Sequence, residues 1–142
     1  MILNTRYLLF IIAILGLLVS GYLFATYVLG GPIICDGSGG CEIVRASEYS
    51  TMFGLPTPTY GLLFYLVLAL GALLATPERA GQLHLPLVLV TGLGAAVSVY
   101  LTYIEAFVIE AWCLWCVISA LLSFLAWGVV WFGPGRRSLF AD

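Results

Sequence analysis

Tyr7 to Leu29 is an apolar run without a single charged residue, and it constrains everything else in the chain. As a helix rising 1.5 Å per residue it is long enough to cross the roughly 30 Å hydrocarbon core of a bilayer. It exceeds the apolar region of a secretory signal, and three further runs follow, so it reads as an uncleaved first membrane helix. Those runs are Thr59 to Thr76, Leu85 to Ile109 and Cys113 to Phe132. Hydrophobic residues make up 63% of the 142, and charged residues only 8%, where a soluble domain carries about 25%. The expected fold is an all-α integral membrane protein, a four-transmembrane-helix bundle forming one domain over residues 1–142. A net charge of -2 without a basic patch gives no reason to expect a nucleic-acid partner.

Gly30-Gly31-Pro32 ends the first helix, and residues 30–58 form the one long polar loop. Within it, Glu42 to Met52 predicts a short amphipathic helix lying on the membrane surface as a lid. Arg45, Glu48 and Ser50 make its polar side, and Ile43, Val44, Tyr49 and Met52 its apolar side. Phe53 to Pro58 turns the chain back into the bilayer. Pro77 to Gln82 is a tight polar turn, and Gly133 to Arg137 closes the fourth helix. Gly92, Gly94, Ala95 and Ala96 offer a small-residue face for close helix packing. Ser20-Gly21-Tyr22-Leu23 with Thr26-Tyr27 and Ser98-Val99-Tyr100-Leu101 with Thr102-Tyr103 form a weak internal repeat, as related halves or as chance similarity between apolar helices.

Arginine sets the expected orientation. Arg6, Arg79, Arg136 and Arg137 fall on one side of the four crossings and Arg45 on the other, which puts the termini in the cytoplasm. All four cysteines then lie on the outer side, where disulfides persist. Cys35 and Cys41 are joined by Asp36-Gly37-Ser38-Gly39-Gly40, a linker loose enough to let the sulfurs meet each other or other partners. Cys113 and Cys116 form a Cys-x-x-Cys pair at the start of the fourth helix, one turn apart on one face. The positive end of the helix dipole favours a thiolate there. Redox work at the lipid–water boundary is the reading this partition favours. A competing one makes the cysteines two static disulfide clasps in a structural membrane protein. Zinc is disfavoured, since the only histidine, His84, belongs to the opposite end of the bundle. The same distance excludes a cysteine hydrolase, which needs a histidine beside its nucleophile. Glu105, ionisable and within the third helix, either handles protons near a site or reaches the interface as Glu110 does. Trp112 and Trp115 either flank a ring-shaped ligand or anchor the interface.

These residues carry a family resemblance. The chain resembles bacterial members of the vitamin K epoxide reductase family over nearly all of the four-helix core. The matching pieces are Cys35 and Cys41, Ser47 six residues on, Phe53-Gly54-Leu55, Tyr60-Gly61 with Phe64-Tyr65, Ser98-Val99-Tyr100-Leu101, and Cys113-Leu114-Trp115-Cys116. The DsbB family does similar chemistry on a different fold, with its Cys-x-x-Cys pair placed early.

The resemblance implies a membrane thiol-disulfide oxidoreductase of a bacterial or archaeal cytoplasmic membrane, supporting disulfide formation. A reduced thioredoxin-like, DsbA-type protein would attack the Cys35–Cys41 disulfide. Electrons would pass from Cys41 to Cys113, and Cys116 would deliver them to a quinone, ubiquinone or menaquinone. No metal is implied. Ser47, Thr57 and Tyr60 are the implied quinone-pocket positions, with Glu105 beside them. Thr57 stands about where animal members carry an asparagine, and Ala120 where they carry a tyrosine, which fits a bacterial quinone better than vitamin K epoxide. Because many bacterial relatives have a fused thioredoxin-like domain and this chain stops after the fourth helix, a separate partner protein is expected.

Overall fold

The computed structural model describes residues 2–35, 37, 39–75 and 80–132, with the backbone alone at 2–5, 80 and 81. Asp36, Ser38, most of the expected Pro77–Gln82 turn, with Arg79, and the closing Gly133–Arg137 segment lie outside the described residues. Five α-helices are described: α1 Ile2–Leu29, α2 Gly40–Ala46, α3 Thr57–Leu74, α4 Ala80–Tyr103 and α5 Leu114–Phe132. Four of them, α1, α3, α4 with its continuation to Ile109, and α5, are long and apolar enough to cross a membrane. The chain is an all-α multi-pass membrane bundle.

The bundle is packed around α1, which lies against both α3 and α5, while α4 lies chiefly against α5. Leu9, Ile12, Ala13 and Val19 of α1 meet Tyr65, Leu68, Ala69 and Ala72 of α3 and Leu122, Ala126 and Val130 of α5 in one buried core. Outward-facing leucines such as Leu18, Leu63, Leu89, Leu93 and Leu121 are exposed, as a lipid-facing surface requires. Close approach relies on small residues. Gly16 accommodates the Tyr65 ring, and Gly94 accommodates Phe64. The Tyr65 hydroxyl donates to the Ser119 carbonyl at 2.7 Å, so the phenol crosses from α3 to α5 with its polar end satisfied. Of the expected small-residue face, Gly94 and Ala95 turn inward while Ala96 is exposed.

Several boundaries differ from those expected. The helix predicted over Glu42–Met52 is instead α2, a 3-10 turn Glu48–Ser50, and a hairpin pairing β1 Thr51–Met52 with β2 Leu55–Pro56. Ser47 is extended (φ -74°, ψ 160°), and both its amide and its hydroxyl bond the Val44 carbonyl, which ends the helix there. Phe53 and Gly54 both have positive φ, 55° and 82°, the geometry of a two-residue hairpin turn. Helix α3 begins at Thr57 rather than Thr59, with Pro58 in its first turn, where its missing N–H costs nothing. Helix α4 begins at Ala80 rather than Leu85, running through Pro86.

The largest departure follows α4. The third helix does not stay α-helical to Ile109 but widens into a π-helical segment, Ile104–Ile109. The Glu105 carbonyl accepts the amides of Glu110 and, at 3.1 Å, Ala111, and Glu110 closes the turn in the left-handed region (φ 58°). Cys113 then caps α5, its carbonyl accepting the Val117 amide at 3.0 Å.

A methyl at Gly16 would lie 2.2 Å from Tyr65 Cδ1. Gly16→Ala is therefore expected to lose about 1–3 kcal/mol through overpacking, read as a lower thermal midpoint in detergent. Gly128→Ala, where no atom lies within 4 Å of the added carbon, should instead be neutral or gain up to about 1 kcal/mol.

Candidate active site

At one end of the bundle a second buried cluster joins Leu23 of α1, Ile33 of the loop, Cys41 and Val44 of α2, and Ala111 and Cys113 before α5. Cys35, Cys116, Tyr22, Tyr27, Ile109 and Trp115 pack against it. All four cysteines, drawn from a loop, a lid helix and a helix start, thus share one cluster. Cys35 and Cys41 are joined as a disulfide with Cα atoms 6.3 Å apart. Cys113 and Cys116 are free thiols. Cys41 and Cys113 are wholly buried, while Cys35 and Cys116 are partly exposed.

The lid is held by its charges. Arg45 pairs with Glu42 on α2 and donates to the carbonyls of Gly31 at 2.6 Å and Thr26 at 3.2 Å. Glu42 Oε1 accepts the Ile33 amide at 2.8 Å. These bonds fasten α2 to the last turn of α1 and to the loop that follows it, with Cys41 and Val44 facing inward. Beside them, the Ile34 amide donates to the Tyr22 hydroxyl at 2.8 Å, and the Trp115 indole N–H donates to the Ile34 carbonyl. The Tyr22 and Trp115 rings lie 4.9 Å apart. The residue next to Cys35 is therefore gripped on both sides of its peptide by α1 and by the Cys-x-x-Cys turn.

Glu105 is brought inward by the π-helical segment and is 5% exposed. Its Oε2 accepts the Cys113 amide at 3.2 Å, and the Cys116 thiol lies within hydrogen-bonding reach of both the Glu105 carboxyl and Cys113. The Cys116 thiol, followed by the Cys116 and Trp115 amides at the start of α5, holds Cys113 below the usual thiol range. Burial and the Glu105 charge oppose this and are outweighed.

The three other pocket positions taken from the sequence stand together but face the loop. Ser47 donates to Val44 O at 2.6 Å, Thr57 to Tyr49 O at 2.9 Å and Tyr60 to Met52 O at 2.6 Å. Thr57 and Tyr60 tie the 3-10 turn and the hairpin to the head of α3, while the Ser47 bond is local and ends α2. Nearby, Thr59 Oγ1 is buried without a hydrogen-bond partner. Among the described residues no three His, Cys, Asp or Glu side chains are grouped to hold a metal ion.

Sequence reasoning used Arg45 as a topology marker and as part of the lid's polar side, and it gave no role to Glu42 or Thr59; Tyr27 appeared only in the internal repeat. Tyr22 had a signal, since it lies in the repeated Ser-x-Tyr-Leu pattern.

The model of the vitamin K epoxide reductase family matches residues 7–131. The chain belongs to that family. A curated relative, the thiol-disulfide oxidoreductase LTO1 of Arabidopsis thaliana, is 31% identical over 118 residues, covering 74% of this chain and 30% of the relative. The chain thus spans under a third of the length of that family member. The matched span contains all four cysteines, Glu105 and the Tyr22–Trp115 grip.

In the reduced protein, Cys116→Ala should raise the midpoint of the Cys113 ultraviolet thiolate titration by about one pH unit, the size of one lost charge-assisted hydrogen bond. The sign follows from the depressed value. The thiolate's contribution to stability is complete above the unfolded thiol pKa and is lost as pH falls through the folded one.

Proposed function

We propose that this chain is a membrane thiol-disulfide oxidoreductase that takes two electrons from a thioredoxin-like dithiol of the DsbA type and passes them to a membrane quinone. The observation that carries the reading is the single buried cluster in which a closed disulfide, Cys35–Cys41, meets an open dithiol, Cys113/Cys116. Family membership and the name of the relative LTO1 support the same chemistry. Two static clasps would give no reason for both pairs to converge on one buried cluster.

In the proposed relay the donor thiolate attacks Cys35, and the loop pair becomes a dithiol. Cys41 thiolate then attacks Cys113 of the oxidised helix pair, releasing Cys116, and Cys35 resolves the mixed disulfide by attacking Cys41. The loop disulfide re-forms and the two electrons rest on Cys113 and Cys116. Each step is an exchange between a thiolate and a disulfide sulfur, so charge and atoms balance without another reactant. A quinone, when bound, accepts two electrons and two protons, which is what closing the Cys113–Cys116 bond releases.

The residues present fit such a ring. Thr59 Oγ1 is a buried donor without a partner at the head of α3, suited to a carbonyl. Tyr65 on α3 bonds Ser119 on α5, about one turn beyond Cys116, so one phenol links the two helices below the cysteine end. In this reading Ser47, Thr57 and Tyr60 shape the pocket wall by fixing the hairpin over it. Residues 7–132 act as one redox unit, with the termini cytoplasmic and the cysteines outside a bacterial or archaeal cytoplasmic membrane.

Purified protein should reduce a soluble quinone analogue when given a reduced thioredoxin-like donor, and Cys116→Ala should abolish this without loss of fold. Cys41→Ser should trap the donor on Cys35 as a mixed disulfide visible on a non-reducing gel. Trapping at Cys113 instead would show that the loop pair is bypassed. A wild-type protein with bound quinone that never oxidises the donor would leave the cysteines as clasps.

A further inference from the structure

We propose that Glu105 is the proton acceptor of the Cys116 thiol, taking its proton as the Cys113/Cys116 dithiol gives up its electrons. For the destination of those electrons the proposal rests on the relay above. Its own ground is geometric. The π-helical segment Ile104–Ile109 carries one residue more per turn than an α-helix, which re-aims side chains, and such segments recur at functional sites. Here it turns Glu105 into the cysteine cluster, where the residue is 5% exposed. One oxygen of the carboxyl takes the Cys113 amide at 3.2 Å, and the Cys116 thiol is within reach.

A carboxylate this deep is costly unless a cation or strong donors compensate it. Arg45, the cation on the lid, is engaged with Glu42 and with the Thr26 and Gly31 carbonyls. The donors that Glu105 has are an amide, which cannot release its proton, and a thiol, which can. The titratable and charged groups around the pair are Tyr27 from α1, Glu42 and Arg45 from α2, and Cys113 at the head of α5. Of these, Cys113 is the other reacting sulfur. Glu105 is the carboxyl that touches both members of the dithiol, at the amide of one and the thiol of the other.

The step balances. Two S–H bonds break and one S–S bond forms between Cys113 and Cys116, releasing two electrons and two protons to an acceptor of the quinone class. Glu105 takes the Cys116 proton and discharges it toward the acceptor's oxygen. The Cys113 proton follows by the same carboxyl once it is empty, and Glu105 ends as it began.

The test needs neither quinone nor donor. In Cys113→Ala the backbone amide that anchors Glu105 is kept, and Cys116 is the one free thiol. If acid and thiol share a proton, the balance between the two tautomers does not depend on pH between the pair's macroscopic steps. Alkylation of Cys116 by a small neutral reagent should then change by less than about three-fold between about pH 6.5 and 8. In Cys113→Ala with Glu105→Gln the sharing is gone, and the rate should climb about ten-fold per pH unit, as for an isolated thiol. Glu105→Asp should restore part of the flat profile. A purely structural carboxylate would leave both profiles steep. A ten-fold rise per unit with Glu105 in place overturns the proposal even if the Gln variant fails to fold. Because quinone reduction is measured separately, an active wild-type relay with a steep profile removes Glu105's role and leaves the function. A flat profile in a protein that reduces no quinone does the reverse.

Discussion

A peptide group that meets lipid without a hydrogen-bond partner costs several kcal/mol, and the layout of this molecule follows from where that cost must be avoided. Within the four long helices the ladder satisfies the backbone by itself. The difficulty is at their ends, where the last carbonyls of each helix have no intrahelical donor. At one end of the bundle Arg6 reaches across from α1 to the Ala72 and Leu73 carbonyls at the end of α3. At the other, Arg45 bonds the Thr26 carbonyl in the last turn of α1 and the Gly31 carbonyl just beyond it, and Trp115 bonds the loop carbonyl of Ile34. Each of these bonds joins segments distant in sequence. The same bonds that satisfy the backbone therefore assemble the cysteine cluster.

The two halves of the bundle differ in how they are held. The inner core packs Tyr65, Leu68, Ala72 and Ala126 without gaps, and a methyl at Gly16 has no room. The cysteine end is held by a short lid helix, a two-residue hairpin and a handful of side-chain bonds to carbonyls. Such a region opens at lower free energy than a packed core. The proposed relay needs that difference. Cys35 must meet an outside thiol and Cys41 must turn toward Cys113, while α5 keeps Cys113 and Cys116 in fixed geometry. The positive-φ glycines beside the pair, Gly37 and Gly39, give the loop its turning points, since nothing lies within 4 Å of either.

The apolar runs were long enough for all four spans to be legible in the sequence, and so were the cysteines that mark the site. The legible part rests on length and on chemistry specific to cysteine. What was not legible depends on contacts between distant segments. Periodicity over Glu42–Met52 cannot reveal that Ser47 turns its hydroxyl onto Val44 and ends the helix after Ala46. Nothing local to Ile104–Ile109 announces a π-helical turn. It is favoured by what Glu105 finds eight residues on, at the Cys113 amide. Ser47, Thr57 and Tyr60 were expected around a quinone; Ser47 instead caps α2, and the bonds of Thr57 to Tyr49 and Tyr60 to Met52 depend on a turn and hairpin the pattern did not show. The internal repeat fares similarly. Tyr22 bonds Ile34 and packs tilted against Trp115, while its counterpart Tyr100 is 53% exposed. The same four-residue pattern serves the site in one helix and faces outward in the other.

The proposed relay gives the burial along its route a purpose that a pair of clasps would not need. Cys35 is partly exposed, Cys41 and Cys113 are wholly buried, and Cys116 is partly exposed again. A clasp that only ties two segments gains nothing from such a gradient, since its task is finished once the bond has closed. An electron relay gains selectivity. Thiol–disulfide exchange goes to whichever thiolate can reach the sulfur, so a solvent-accessible inner pair would be reduced by any small thiol outside the membrane. With the two inner members sealed between α2 and α5, the proposed relay would take an outer thiol at Cys35 and hand electrons on from Cys116. Trp115 lies between Cys113 and Cys116 in sequence and holds the peptide next to Cys35, so one side chain joins the two cysteine pairs. The grip of Tyr22 and Trp115 on Ile34 thus links the two ends of the route through one peptide group.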